Sequence, residues 1–163
     1  MSNGSERLAA DIALTRYTGV PSSVALDRAD SWGSLDLAIV PGTRRGLPGT
    51  PEPRDLGAVS GHANLGQALI VRLLTPRGAL AGLGHPDYGC RLTELIGTLN
   101  NATTRNRARL FVLQALREES RVAEVLALTV APVAGMPDRI TIGFSVRPVG
   151  DDTPLSLGLE VTL

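Results

Sequence analysis

The residues able to do chemistry in this chain are few and scattered. They are an adjacent acid pair, Glu118-Glu119, a further helical acid, Glu94, the group His85-Pro86-Asp87-Tyr88, and a lone cysteine, Cys90. Two carboxylates on either side of a glycosidic bond are the machinery of a glycosidase. Neighbouring helix positions, however, point about 100° apart at 3.6 residues per turn, so Glu118 and Glu119 do not face one substrate. Glu94 reads as part of a solvated helix face. His85, Asp87 and Tyr88 are acid–base groups set close together. The Gly84 and Gly89 that flank them make the segment a turn, and no nucleophile stands at a strand-to-helix elbow. Cys90 reads as a small packed residue. One cysteine excludes an internal disulfide, and with only His62 and His85 beside it a zinc ion lacks a ligand set. No catalytic residue, metal or cofactor is expected.

More informative is Glu118-Glu119-Ser120-Arg121, which falls where helical spacing gives way to strand alternation. A carboxylate and a guanidinium two residues apart, Glu119 and Arg121, either brace that junction or present a charged fork to a partner. A second candidate partner surface lies at the end of the sequence. Leu155, Leu157, Leu159, Val161 and Leu163 alternate with Ser156, Gly158, Glu160 and Thr162, and neither proline nor lysine interrupts them. Such a strand is open to pairing with another chain unless the amino-terminal arm covers it.

The elements that must position these groups follow from periodicity. With 163 residues, 43% of them hydrophobic, the chain is long enough for one domain with a real core. Residues 1–57 differ from the rest: proline and glycine recur too often for a long helix, and apolar residues are too scattered for a core of their own. They read as an amino-terminal arm, and residues 58–163 as the domain. Over residues 64–75, Leu65, Ala68, Leu69, Arg72 and Leu73 have helical spacing, with Asn64 read as the N-cap and Pro76 as the stop. A turn-rich loop and a short helical piece over residues 91–97 follow. Residues 105–119 form the second helix, with Ala108, Val112, Ala115 and Leu116 on its apolar stripe and Leu110, Phe111 and Leu113 widening it. The period then changes to 2. Val122, Glu124, Leu126, Leu128 and Val130 form one alternating set; Ile140, Ile142, Phe144 and Val146 form a second; the terminal leucines form the third. The expected fold class is α+β, helices followed by an antiparallel meander of three to four strands.

All 16 basic residues are arginine and are matched by 16 acids, so the net charge is zero, and only 3% of residues are aromatic. That balance supplies neither the field nor the stacking surface of a nucleic-acid binder. No apolar run is long enough to cross a bilayer, and the amino terminus lacks the pattern of an export signal. A cytoplasmic protein is expected.

The blocks running from Asp55 through Asn64 to Leu69, Leu74-Thr-Pro-Arg-Gly78, His85-Pro-Asp-Tyr-Gly89, Leu95-Ile-Gly97 and Glu119-Ser-Arg121-Val122 resemble the gene-25-like baseplate wedge family of contractile-tailed phages and contractile injection systems. The resemblance covers about residues 55–163. It implies a structural protein without catalysis, in six copies per baseplate, that links the wedge to the first ring of contractile sheath. It also implies a fold similar to the interlocking domain of the sheath subunit, in which neighbouring chains donate strands to one sheet. Sheath, wedge and hub proteins are the partners so implied. The family's Glu-Pro-Arg signature falls on Glu119, Ser120 and Arg121, with serine replacing proline. Some relatives carry a lysozyme-like label, so a peptidoglycan glycosidase is the alternative expectation.

Overall fold

The computed structural model describes residues 8–14, 37–42 and 54–163. Three strands carry the carboxy-terminal half: β5 (Val122–Val133), β6 (Met136–Pro148) and β7 (Leu155–Thr162), antiparallel in the order β5-β6-β7. Two helices cover one face of this sheet, α1 (Gly61–Leu74) and α2 (Ala102–Arg117). The fold is the expected α+β meander. Between the helices, residues 75–101 form the turn-rich connection, with short 3₁₀ turns at Ala81–Leu83 and Leu92–Leu95.

The core follows the two periods. Leu65, Leu69, Ile70 and Leu73 of α1 meet Ala108, Val112, Ala115 and Leu116 of α2 over Ile140, Ile142, Phe144 and Val146 of β6 and the leucines of β7. Full burial of each large aliphatic side chain contributes about 1.5–3 kcal/mol, so this interdigitation is the main source of stability. Asn101 caps α2, its side chain accepting from the Thr104 N–H at 2.9 Å. Leu110, expected on the apolar stripe, is 64% exposed; it lies two positions from Ala108 and so about 200° round the helix from the buried face.

Two expectations are corrected. Helix α1 begins at Gly61 behind Ser60, and Asn64 is inside the helix and buried, not its cap. In β5 the inward side chains are Val122, Val125, Leu128 and Val130, while Glu124 and Leu126 point outward. Bulges between Val122 and Glu124 and between Val125 and Ala127 each insert one extra residue, and each flips the alternation that an uninterrupted strand would keep.

The described parts of the amino-terminal arm pack on this body. β1 (Ala10–Ile12) pairs with β4 (Ala58–Ser60), and β2 (Ile39–Pro41) pairs with β3 (Arg54–Leu56). They join in a ring of three hydrogen bonds: Ala13 donates to Gly57, Gly57 to Ala38, and Ala38 to Ala13, at 2.7–2.8 Å. Glycine fits at position 57 because a Cβ there would lie 3.3 Å from the Ala38 carbonyl oxygen and from a Val40 methyl.

Candidate functional site

Helix α2 ends at Arg117, and the chain turns through Glu118 to Arg121 into β5. The Val122 N–H donates to the Glu119 carbonyl at 3.0 Å and the Val149 N–H to the Arg121 carbonyl at 2.9 Å, so the turn is tied to both β5 and the end of β6. Among the described hydrogen bonds none uses the Ser120 N–H, which is the donor a proline would lack.

The turn holds two linked ion-pair groups. Glu119 is only 6% exposed; its Oε1 accepts from Arg121 Nε at 2.8 Å, and its Oε2 faces Arg72 Nη2 at 3.3 Å. Arg72, in the last turn of α1, in turn lies over the Tyr88 ring at 4.4 Å. Outside this pair of contacts, Arg77 grips both Glu118 oxygens, at 2.7 and 3.0 Å, and reaches Asp87 at 3.2 Å, while Gln114 donates to Glu118 at 3.0 Å. The network thus ties together the end of α1, the connecting loop and the end of α2. Gly89 permits the loop's return: its φ is 106°, and a Cβ there would sit 2.6 Å from the Thr75 carbonyl oxygen and 2.7 Å from that of Pro76. Arg72, Gly84, His85, Pro86, Asp87, Tyr88 and Glu118 line an open groove of about 410 Å³ beside it.

Electrostatics point away from proton donation. Burial alone would raise the Glu119 carboxyl, but the Arg121 hydrogen bond and the charges of Arg121 and Arg72 outweigh it and hold the group below the usual glutamate range. Glu118 is held low by its hydrogen bond from Arg77, and Glu94 by its bidentate pairing with Arg91 at 2.7 and 2.8 Å. Burial pushes the Tyr88 phenol up. Cys90 is buried, its Sγ donates to the Phe111 carbonyl at 3.5 Å, and desolvation pushes its thiol up to about 11. A general acid needs a raised carboxyl and a nucleophilic thiol a lowered one. Among the described residues no three His, Cys, Asp or Glu side chains gather as a metal site would require.

The structure brings Glu119 and Arg121 together as a brace, each turned toward the other. Leu155, Leu157, Leu159, Val161 and Leu163 turn their side chains into the chain's own core. What β7 offers a partner is its main chain. Among the described residues no strand pairs with its far edge. The Leu163 N–H donates to the Asp138 carbonyl at 2.7 Å, and the β6–β7 register is unbroken, so alternation turns the N–H and C=O groups of Ser156, Gly158, Glu160 and Thr162 outward. The opposite edge, β5, is interrupted by its bulges and Pro132. Sequence reading missed Arg72 and Arg77; the available signal was a cation within the apolar face of a helix, at Arg72 between Leu69 and Leu73, which calls for a buried counter-charge.

No family model matches the chain, and no curated protein matches it. A solved structure does: a protein of Geobacter sulfurreducens provisionally named a tail lysozyme, 26% identical, aligned over 61% of this chain and 88% of that one with a TM-score of 0.53. The chain is therefore similar in fold to a tail-related protein, which agrees with the coarse part of the resemblance read from the sequence.

Proposed function

We propose that the chain is a structural baseplate component of a contractile, phage-tail-like injection particle, of the gene-25-like wedge type, and that it links the wedge to the first sheath ring by accepting a strand on the edge of β7 that no described strand covers. The observation that carries the reading is that edge: eight regular residues with no bulge and no proline, fixed from behind by a fully apolar face. An extended segment of sheath protein added there gains main-chain hydrogen bonds of about 0.5–1.5 kcal/mol each. Repetition over six copies turns modest joints into a firm one by avidity. The Glu119–Arg121–Arg72 brace keeps the helices and the sheet in one piece when the sheath pulls. The tail-related neighbour supports the particle context. No helix among the described residues is long and apolar enough to cross a membrane, in keeping with assembly into a particle.

In this reading the protein is not an enzyme. The support is that Glu94, Glu118 and Glu119 are each held ionised by an arginine, the opposite of the proton donor that glycoside hydrolysis requires. The test is co-purification of the tagged protein with sheath and wedge proteins, wild type against Glu160→Pro, which removes an outward-facing N–H of β7. Retention of both partners by wild type and selective loss of sheath protein in the variant is the expected result. If wild type retains neither while particles assemble, the reading fails, and cell-wall hydrolysis becomes the assay to run.

A further inference from the structure

Helix α2 breaks two local rules on its outer side. From Ala102 to Arg117 it holds Arg105, Arg107, Arg109 and Arg117 and no acid at all. Its first turn carries Arg105 where the helix dipole favours a carboxylate, and Arg109 stands one turn further on, where like charges repel. Conflicts of this kind with local stability are expected where a surface serves a partner. Arg105 is engaged, donating to the Asn100 side-chain oxygen at 2.8 Å. Among the described residues no carboxylate pairs with Arg107, Arg109 or Arg117. The acids near the two ends of the helix are already taken. Glu94, close enough to feel the charge of Arg107, is held by Arg91, and Glu118 by Arg77 and Gln114.

The spacing of the exposed residues is a second, independent observation. α1, β5 and the Leu92–Leu95 turn pack on α2. The side turned away from the core carries Thr103, Asn106, Leu110, Leu113 and Arg117, at successive intervals of 3, 4, 3 and 4. That is the a/d interval by which two helices pair, here a seam about 21 Å long at 1.5 Å per residue. Leu110, 64% exposed, and the half-buried Leu113 form its apolar centre. Arg107 and Arg109 fall at the flanking e and g positions, where charge selects the partner. Arg107 lies over the Phe111 ring at 5.8 Å, a contact that steadies the guanidinium without using its N–H donors.

We propose that the outer face of α2 is the docking site for an acidic amphipathic helix of another protein, whose apolar seam packs on Leu110 and Leu113 and whose carboxylates pair with Arg107, Arg109 and Arg117. Charge complementarity selects this occupant. The same face of a second copy carries the same cations and is repelled. A nucleic acid calls for a longer run of cations and for open aromatic faces, whereas the Phe111 ring has Arg91 over it at 4.5 Å. α2 packs on β5, at the opposite edge of the sheet from β7, so this site stands or falls independently of strand addition.

The test titrates the full-length chain, by fluorescence anisotropy, against labelled synthetic helices of about 20 residues, long enough to span the seam. The first has leucine at a and d and glutamate at e and g; the second replaces the glutamates with lysine; the third replaces the leucines with serine. A thymidine oligonucleotide of similar length is the polyanion control. Expected is binding of the first helix alone, weakening as salt rises. Its affinity should fall about tenfold or more in Arg107→Gln/Arg109→Gln/Arg117→Gln and in Leu110→Ser, and should be unchanged in Arg54→Gln, an exposed cation on β3. Urea midpoints of these variants at or above that of wild type show that the fold is kept, since the substitutions remove like charges and an exposed side chain. Equal binding of the serine helix or of the oligonucleotide makes the face a general polyanion surface and overturns the proposal. So does failure of the acidic helix to bind wild type, or equal binding to every variant.

Discussion

Replacing Glu160 with proline removes an N–H that alternation turns away from β6, whereas replacing Leu159, the adjacent residue, removes one that the β6 ladder uses, opposite Ile142. The two substitutions therefore separate the edge from the fold. Leu159→Pro loses a ladder hydrogen bond of about 0.5–1.5 kcal/mol and most of a buried side chain, for which truncation costs roughly 2–5 kcal/mol. The sum, roughly 3–6 kcal/mol, is comparable with the whole stability of a domain this size, which is of order 5–15 kcal/mol. Glu160→Pro loses no internal bond, and as an edge-strand proline with its missing donor facing outward it should cost about 1 kcal/mol or less. Its effect on an incoming strand is larger: one lost hydrogen bond plus the ring in the path of the partner backbone weakens pairing by about tenfold or more. The assay is urea unfolding of each variant beside a pull-down of sheath protein. Glu160→Pro that unfolds near wild type and binds sheath poorly is the expected result. Glu160→Pro that is folded and binds as tightly as wild type refutes strand addition on this edge.

Other outcomes follow from the site. Glu119→Gln should destabilise the chain by roughly 2–3 kcal/mol, less than breaking a fully buried pair because Arg121 is partly exposed, with urea midpoints as the measure. The Glu119 carboxyl is lowered by folding, so its contribution is complete above the ordinary glutamate range and is lost as pH falls through its folded pKa. The wild type should therefore lose stability on acidification below about pH 4.5 more steeply than Glu119→Gln, and identical slopes would contradict the brace. Gly89→Ala, which forces a Cβ against two backbone carbonyls at a left-handed φ, should cost more than the roughly 1–3 kcal/mol of backbone strain alone and lower the melting temperature accordingly. Asn64→Ala strands the Leu8 carbonyl, a loss of about 1–3 kcal/mol, visible as faster amide exchange over residues 8–14. Alkylation of Cys90 at neutral pH should be slow in the folded chain and fast in urea.

The sheet was legible because β6 and β7 alternate without interruption, and α2 because Ala108, Val112, Ala115 and Leu116 keep the helical period. β5 was half legible. Its strand character is plain from Val122 to Val130, but a bulge leaves no mark in a run of alanine, leucine and valine, so Leu126 and Val125 exchanged faces. Asn64 resembles a cap by type and position, and only the Leu8 carbonyl, 56 residues away in sequence, shows why an asparagine is buried there. The brace was visible at one end only. Glu119 and Arg121 are neighbours, but Arg72 lies 47 residues before Glu119 and Arg77 41 before Glu118, and periodicity carries no information on pairs so far apart. Leu155, Leu157, Leu159 and Val161 were read correctly as part of a strand, β7, which ends one residue before Leu163; which of its main-chain groups face away from β6 depends on hydrogen-bond phase, which sequence alone does not specify.

The central claim is that the outward edge of β7 receives a strand. Amide exchange of the isolated chain and of the chain bound to sheath protein tests it most directly. The account predicts that the N–H groups of Ser156, Gly158, Glu160 and Thr162 exchange quickly in isolation and become protected together on binding, while those of Leu157, Leu159 and Val161 are protected in both states. Binding that leaves the four outward amides exchanging as before, with protection appearing elsewhere on the chain, would contradict it.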